Sequence, residues 1–186
     1  DDATIDQVML DNGINAYMSA DTFMEIVNSS VRLLGEKYQY TPNIYNSQPG
    51  TYQYYRDVYQ HAPVKYYIAK CWEKYSGHTA HRDNPLGEAI FCYLTAMSHP
   101  HMFIQADLVR IVPVRSTDNA YICPRCKKVH LHTSGGVCCG CREELSTPKI
   151  VSVETVRKEN YNLLNNILGR PAKRLHCEEL TGQTDN

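Results

Sequence analysis

Apolar residues recur at helical spacing in three stretches of the chain. Phe23, Ile26, Val27, Val31 and Leu34 mark one face of a helix that Asp21 can cap and Gly35 can end. Val64, Tyr67, Ile68, Cys71, Trp72 and Tyr75 repeat the pattern, with Pro63 in the first turn and Gly77 as the stop. Leu86, Ala89, Ile90, Tyr93, Leu94 and Met97 repeat it again behind the cap Asn84, and His99-Pro100-His101 ends it. The first twenty residues are less regular. Ile5, Val8, Met9 and Ile14 fit a short helix interrupted at Asp11-Asn12-Gly13.

Beyond residue 102 the pattern changes. Residues 103–114 alternate weakly and finish in Arg110–Val114, an edge-like strand because of Pro113. Ser116–Asn119 reads as a turn, and Ala120-Tyr121-Ile122 as a returning strand. Lys149–Val153 is a further strand. A helix with Val156, Leu163, Leu164, Ile167 and Leu168 inward and Gly169 at its end follows, then a strand-like piece from Lys173 to Leu180. Strand, helix, strand with short links is a βαβ unit, too small to stand alone. Cys177 and His176 in its second strand read as core or solvent-facing positions.

Between these blocks lies the stretch with chemistry. Cys123/Cys126 and Cys138/Cys141 are two Cys-x-x-Cys pairs, eleven residues apart. A two-residue spacer lets one tight turn present two sulfurs to one ion, and zinc prefers a tetrahedron of thiolates. Val129–His132 has strand-like alternation and Ser134-Gly135-Gly136 can turn, so the link can form a short hairpin. The spacing therefore predicts a zinc ribbon with Zn2+ held by Cys123, Cys126, Cys138 and Cys141. Two disulfides would need an oxidising compartment, which nothing in the chain indicates. Cys139 could exchange with Cys138 only by breaking the two-residue spacing. His130 and His132 read as residues of the hairpin faces. His78 and His81 have metal-like spacing without further partners nearby. Four protein ligands leave no open position for water, so the metal's expected task is structural.

The resulting expectation is an α+β chain in three parts. A helical module spans 1–102, a β-hairpin and three-stranded zinc ribbon span 103–147, and the start of a βαβ unit spans 148–186. Three helices followed by a hairpin is the order of a winged helix. The third helix, however, offers only Glu88 as a charge, which makes a poor groove reader and favours a scaffold.

Composition narrows the functions. The 186 residues carry a formal net charge of −1, unlike a strong nonspecific nucleic-acid binder. Hydrophobic residues make up 42%, enough for a core, yet the longest clear apolar run, Ala89–Leu94, is far short of a membrane span. Arg125, Lys127, Lys128 and Arg142 flank the cysteines. They would offset the negative charge of a tetrathiolate site, and are the candidate contacts for nucleic-acid phosphate. Nine of the fourteen tyrosines lie between Tyr38 and Tyr67. With only Lys37, Arg56 and Lys65 among them, they read as amphipathic cover over a small core sooner than as a base-stacking platform. The chain starts at Asp1 without Met and stops at Asn186 without a closing element, as an excised piece of something longer would.

The ribbon sequence CPRCKKVHLHTSGGVCCGC resembles the zinc ribbon of large bacterial DEAD/DEAH-box (superfamily 2) helicases, including some implicated in phage defence. Arg174–Asn186, RLHCEELTGQTDN, resembles a segment that follows such ribbons. Lys149–Leu168 and then Arg174–Thr184 are similar to the opening of a second RecA-like lobe. The resemblance covers Tyr121–Asn186. It implies an accessory region of a cytoplasmic, ATP-binding DNA helicase. Its partners would be the remaining lobes of the parent chain and, weakly, DNA, with no membrane. No G-x-x-x-x-G-K-[ST] phosphate loop is present, so the chain itself is expected to hydrolyse nothing. The alternative is a stand-alone zinc-ribbon interaction or regulatory module that binds a protein through its Tyr-rich surface. A zinc deaminase would want Pro-Cys-x-x-Cys behind His-x-Glu. Here Cys123-Pro124 reverses the first, and no His-x-Glu precedes it.

Overall fold

A computed structural model describes residues 2–36, 40–41, 62–79, 83–95, 104–105, 110 and 112–159. Helix α1, Asp2–Asp11, buries Ile5 and Met9. Gly13 then takes a left-handed φ of +66°, and the chain turns Ile14 into the core. Helix α2, Ala20–Gly35, buries Phe23, Ile26, Val27, Leu33 and Leu34. Its cap is Ser19 instead of the expected Asp21. Ser19 has extended backbone, and its Oγ accepts the Thr22 N–H at 3.3 Å. Asp21 falls in the first turn, where its charge suits the helix dipole.

Helix α3, Ala62–Ser76, follows the expected stripe, burying Val64, Tyr67, Ile68, Cys71 and Trp72. Gly77 leaves it at φ +72°. Helix α4, Pro85–Thr95, starts where Asn84 Oδ1 accepts the Gly87 N–H at 2.9 Å, and buries Leu86, Ala89, Ile90 and Leu94. Side chains of these four helices and Ile14 form one apolar cluster. Each fully buried large aliphatic or aromatic residue in it stabilises the fold by about 1.5–3 kcal/mol. Most of the Tyr-rich segment, Met97 and His99-Pro100-His101 lie outside the described residues.

Two strands of two residues, β1 (Tyr40–Thr41) and β2 (Ile104–Gln105), pair in parallel. The ribbon sheet is larger. Strand β3, Asn119–Ile122, is central, with β4 (Val129–His130) and β5 (Lys149–Ser152) antiparallel on either side. Pro113 lacks an N–H for a ladder, and Val112–Val114 joins none. The turn after it is closed by Asp118, whose side chain accepts the Arg115 N–H at 2.7 Å. Strand β5, read from the sequence as the first strand of a βαβ unit, is hydrogen-bonded along its length to β3. Helix α5, Val153–Glu159, follows it, with Ser152 Oγ accepting the Thr155 N–H. The second strand of that unit, with His176 and Cys177, lies outside the described residues. The architecture is α+β, with an N-terminal helical part and a small antiparallel sheet.

One turn brings the two parts together through several hydrogen bonds. Ser134–Gly136 forms a single 3-10 turn between Cys126 and Cys138, and it seats against α2 and α3. The Tyr67 hydroxyl donates to Ser134 O at 2.8 Å, Tyr75 donates to Gly135 O at 3.0 Å, and Ser29 Oγ meets Ser134 Oγ at 2.6 Å. Glu25 accepts the Gly135 N–H at 3.0 Å and also the Thr133 hydroxyl. The approach is too close for a side chain. A Cβ on Gly135 would stand 2.4 Å from Ile26 Cγ1. Val137 and Cys139, just after the turn, belong to the helical core.

Candidate metal centre

Each Cys-x-x-Cys pair forms the same knuckle, and local backbone chemistry explains why. The N–H of Lys127 reaches Cys123 O at 3.0 Å, and that of Arg142 reaches Cys138 O at 2.8 Å. The N–H of Cys123 bonds Lys128 O at 3.0 Å, and that of Cys138 bonds Glu143 O at 2.8 Å. Lys127 and Arg142 both adopt left-handed φ, +62° and +66°. The backbone thus wraps each pair so that both sulfurs point to one side.

The four thiols converge. Every ligand atom of Cys123, Cys126, Cys138 and Cys141 lies within 4.8 Å of the others. Cys123 and Cys141 sulfurs stand 3.6 Å apart, and those of Cys126 and Cys138 3.5 Å. Disulfide sulfurs would be about 2.05 Å apart, so these are free thiols. Four sulfurs about 2.3 Å from a central ion stand roughly 3.8 Å from one another, close to the spacing found here. The donor set and its geometry fit a soft divalent ion, and the four residues are those the spacing predicted.

The surroundings act differently on Cys123 than on Cys138 and Cys141. Burial works to raise the Cys123 thiol, but the N–H groups of Cys126 and Arg125 and the thiols of Cys141 and Cys138 bring it down to about 7. Burial holds Cys138 well above the ordinary thiol range and also raises Cys141. A bound cation would favour the thiolate at all of them, so loading the site displaces protons.

The flanking cations are engaged within the chain. Arg125 pairs with Glu143, Lys128 Nζ sits 2.6 Å from Glu36 Oε1, and Lys127 Nζ donates to Pro124 O at 2.6 Å. The Arg142 guanidinium lies over the Tyr66 ring, 5.3 Å from its centre. Lys74 on α3 pairs with Glu144, a further tie between helix and ribbon. A cleft of about 390 Å³ beside this pair is lined by Lys70, Glu73, Lys74, Arg142, Glu143 and Glu144, with both signs of charge mixed.

Cys139 lies outside the four-cysteine cluster; burial raises its thiol, and it packs into the helical core. Cys71 packs there too, pushed up to about 12 by burial. His132 accepts the Ser134 N–H at 3.0 Å and so shapes the turn. His130 was the residue that spacing did not reveal. It is buried, with Nε2 3.3 Å from Cys138 Sγ. Burial, then the charges of Arg32, His132 and Lys128, lower its pKa to about 4. The available signal was strand parity. His130 faces Tyr121 in the ladder, one residue before Ile122 and two before Cys123.

Fold and site define an α+β module with a four-cysteine cluster able to hold a metal ion. The chain matches no family model, and comparison with curated proteins and with solved structures finds no match. Among the described residues no helix is long and apolar enough to cross a membrane.

Proposed function

We propose that the chain is a structural zinc module, and that its metal rivets the ribbon to a helical scaffold. The observation that carries this is the placement of the metal cluster. The eleven residues between Cys126 and Cys138 hold the turn that α2 and α3 grip. Closing that loop on an ion fixes the turn where the helices need it. With four protein sulfurs as ligands, the ion has no vacant position and does no chemistry. Zinc sites of this kind contribute roughly 10–16 kcal/mol of apparent free energy in small domains, comparable to a whole domain's stability.

The resemblance of Tyr121–Asn186 to helicase ribbon regions supports placing the module beside the motor lobes of a DNA helicase. There it would hold the lobes and shape the strand path, with no hydrolysis of its own. The engaged state of Arg125, Lys127, Lys128 and Arg142 favours a second reading, a protein-interaction module with little call on phosphate.

Elemental analysis of the reduced protein tests the metal. One zinc per chain is expected, lost with helical signal in Cys123→Ser or Cys141→Ser; full zinc with unchanged unfolding in either variant would refute the assignment. Fluorescence anisotropy with single-stranded and forked oligonucleotides separates the two readings. Weak, salt-sensitive binding supports the helicase placement, and none at low salt supports the interaction module.

A further inference from the structure

We propose that His130 is a working part of the metal centre without being a ligand: it donates its Nε2–H to the Cys138 thiolate and slows release of the ion. The inference rests on the four-sulfur reading above. Cys138 is fully buried, so water cannot hydrogen-bond to its sulfur. The donors within reach are the His130 ring, at 3.3 Å, and the Gly140 N–H, at 3.4 Å. Cys126, by contrast, is exposed to solvent. A metal-bound tetrathiolate carries two excess negative charges. At a buried ligand, a hydrogen bond from a ring N–H spreads that charge.

The partners settle which nitrogen carries the proton. A ligated thiolate has only lone pairs to offer, so the nitrogen facing it must be N–H. On the other side of the ring, Nδ1 lies 3.9 Å from the Cys139 thiol. Cys139 is held in the helical core and His130 in the β3–β4 ladder. The ring is thereby fixed from both sides, and it is 1% exposed. The adjacent cysteine, surplus as a ligand, gains a role in orienting this imidazole.

The test is the rate of zinc transfer from the folded protein to a chromogenic chelator. His130→Leu removes the donor at similar volume, and His130→Gln can place an amide N–H near the same point. Release should quicken about ten- to a hundredfold in His130→Leu, with most of the change reversed in His130→Gln. Equal rates in all three proteins, or equal acceleration in both variants, would overturn the proposal. A second measurement needs no variant. In cadmium-113-loaded protein, nitrogen-15 spectra should show the His130 proton on Nε2, coupled to cadmium through the hydrogen bond to sulfur. A proton on Nδ1, or Nε2 bonded directly to cadmium, would overturn it. Absence of bound metal in the unaltered protein would instead refute the four-sulfur reading itself.

Discussion

Lys127 and Arg142 occupy equivalent places in the two knuckles: each follows the second cysteine of its pair, at φ +62° and +66°, and each donates its N–H to the first cysteine's carbonyl. The left-handed region costs an L-residue roughly 1–2 kcal/mol. Lys127→Gly should therefore hold or raise the melting temperature of the metal-loaded protein. Lys127→Val, with a β-branched side chain at the same φ, should lower it by several degrees. Thermal unfolding followed by circular dichroism compares them, and Lys127 is the better position because Arg142 also covers Tyr66.

Gly135 meets α2 at a distance no side chain tolerates. Gly135→Ala adds both a strained φ of +59° and a clash with Ile26, and should cost about 2–4 kcal/mol in denaturant unfolding. Combining it with Ile26→Ala should give less than the sum of the two losses, because the smaller neighbour makes room for the new methyl group.

The Tyr67 hydroxyl is buried and bonded to both the carbonyl and the hydroxyl of Ser134, and burial raises its pKa well above that of free tyrosine. Tyr67→Phe leaves Ser134 short of a donor inside the core. A loss of about 1–3 kcal/mol is expected in urea unfolding. Because Ser134 sits between the two cysteine pairs, the same variant should release bound metal to a chelator faster than the unaltered protein.

Much of this fold was legible before any coordinates. The i, i+3, i+4 stripes of α2, α3 and α4 located the helices, since a buried face imposes that period, and the paired cysteines located the metal cluster. What escaped was long-range or competitive. Ser19 and Asp21 are both good caps, and only the backbone angles decide between them. Two glycines after Ser134 announce a turn but not the helices that receive it, because Ser29 and Ser134 are 105 positions apart. Alternation over Val129–His132 could not say which histidine faced the sulfurs. Only the pairing of His130 with Tyr121 fixes that.

Glu36 provides a pH-dependent tie. Partial burial pushes its carboxyl upward, but the bond from Lys128, the Lys128 charge and Arg32 outweigh this and leave it below the ordinary glutamate value. A group depressed on folding contributes stability above its unfolded pKa and loses it as pH falls through the folded value. The stability gap between the unaltered protein and Glu36→Gln should thus be present at pH 7 and shrink as pH falls through and below the ordinary glutamate range. As an exposed pair, it should amount to about 0.5 kcal/mol or less. Chemical denaturation at pH 7 and pH 4 measures it, and salt should shrink the gap at neutral pH.

The turn bearing Ser134 also has consequences for how the chain matures in a cell. Synthesis completes α2 and α3 well before Cys138 and Cys141 leave the ribosome, so for a time the groove around Ile26 and Tyr67 has no occupant. A chain without metal in its cysteine cluster would keep that groove open, offering chaperones and proteases apolar surface. Metal supply would then set not only the shape of the finished molecule but how long each new copy survives.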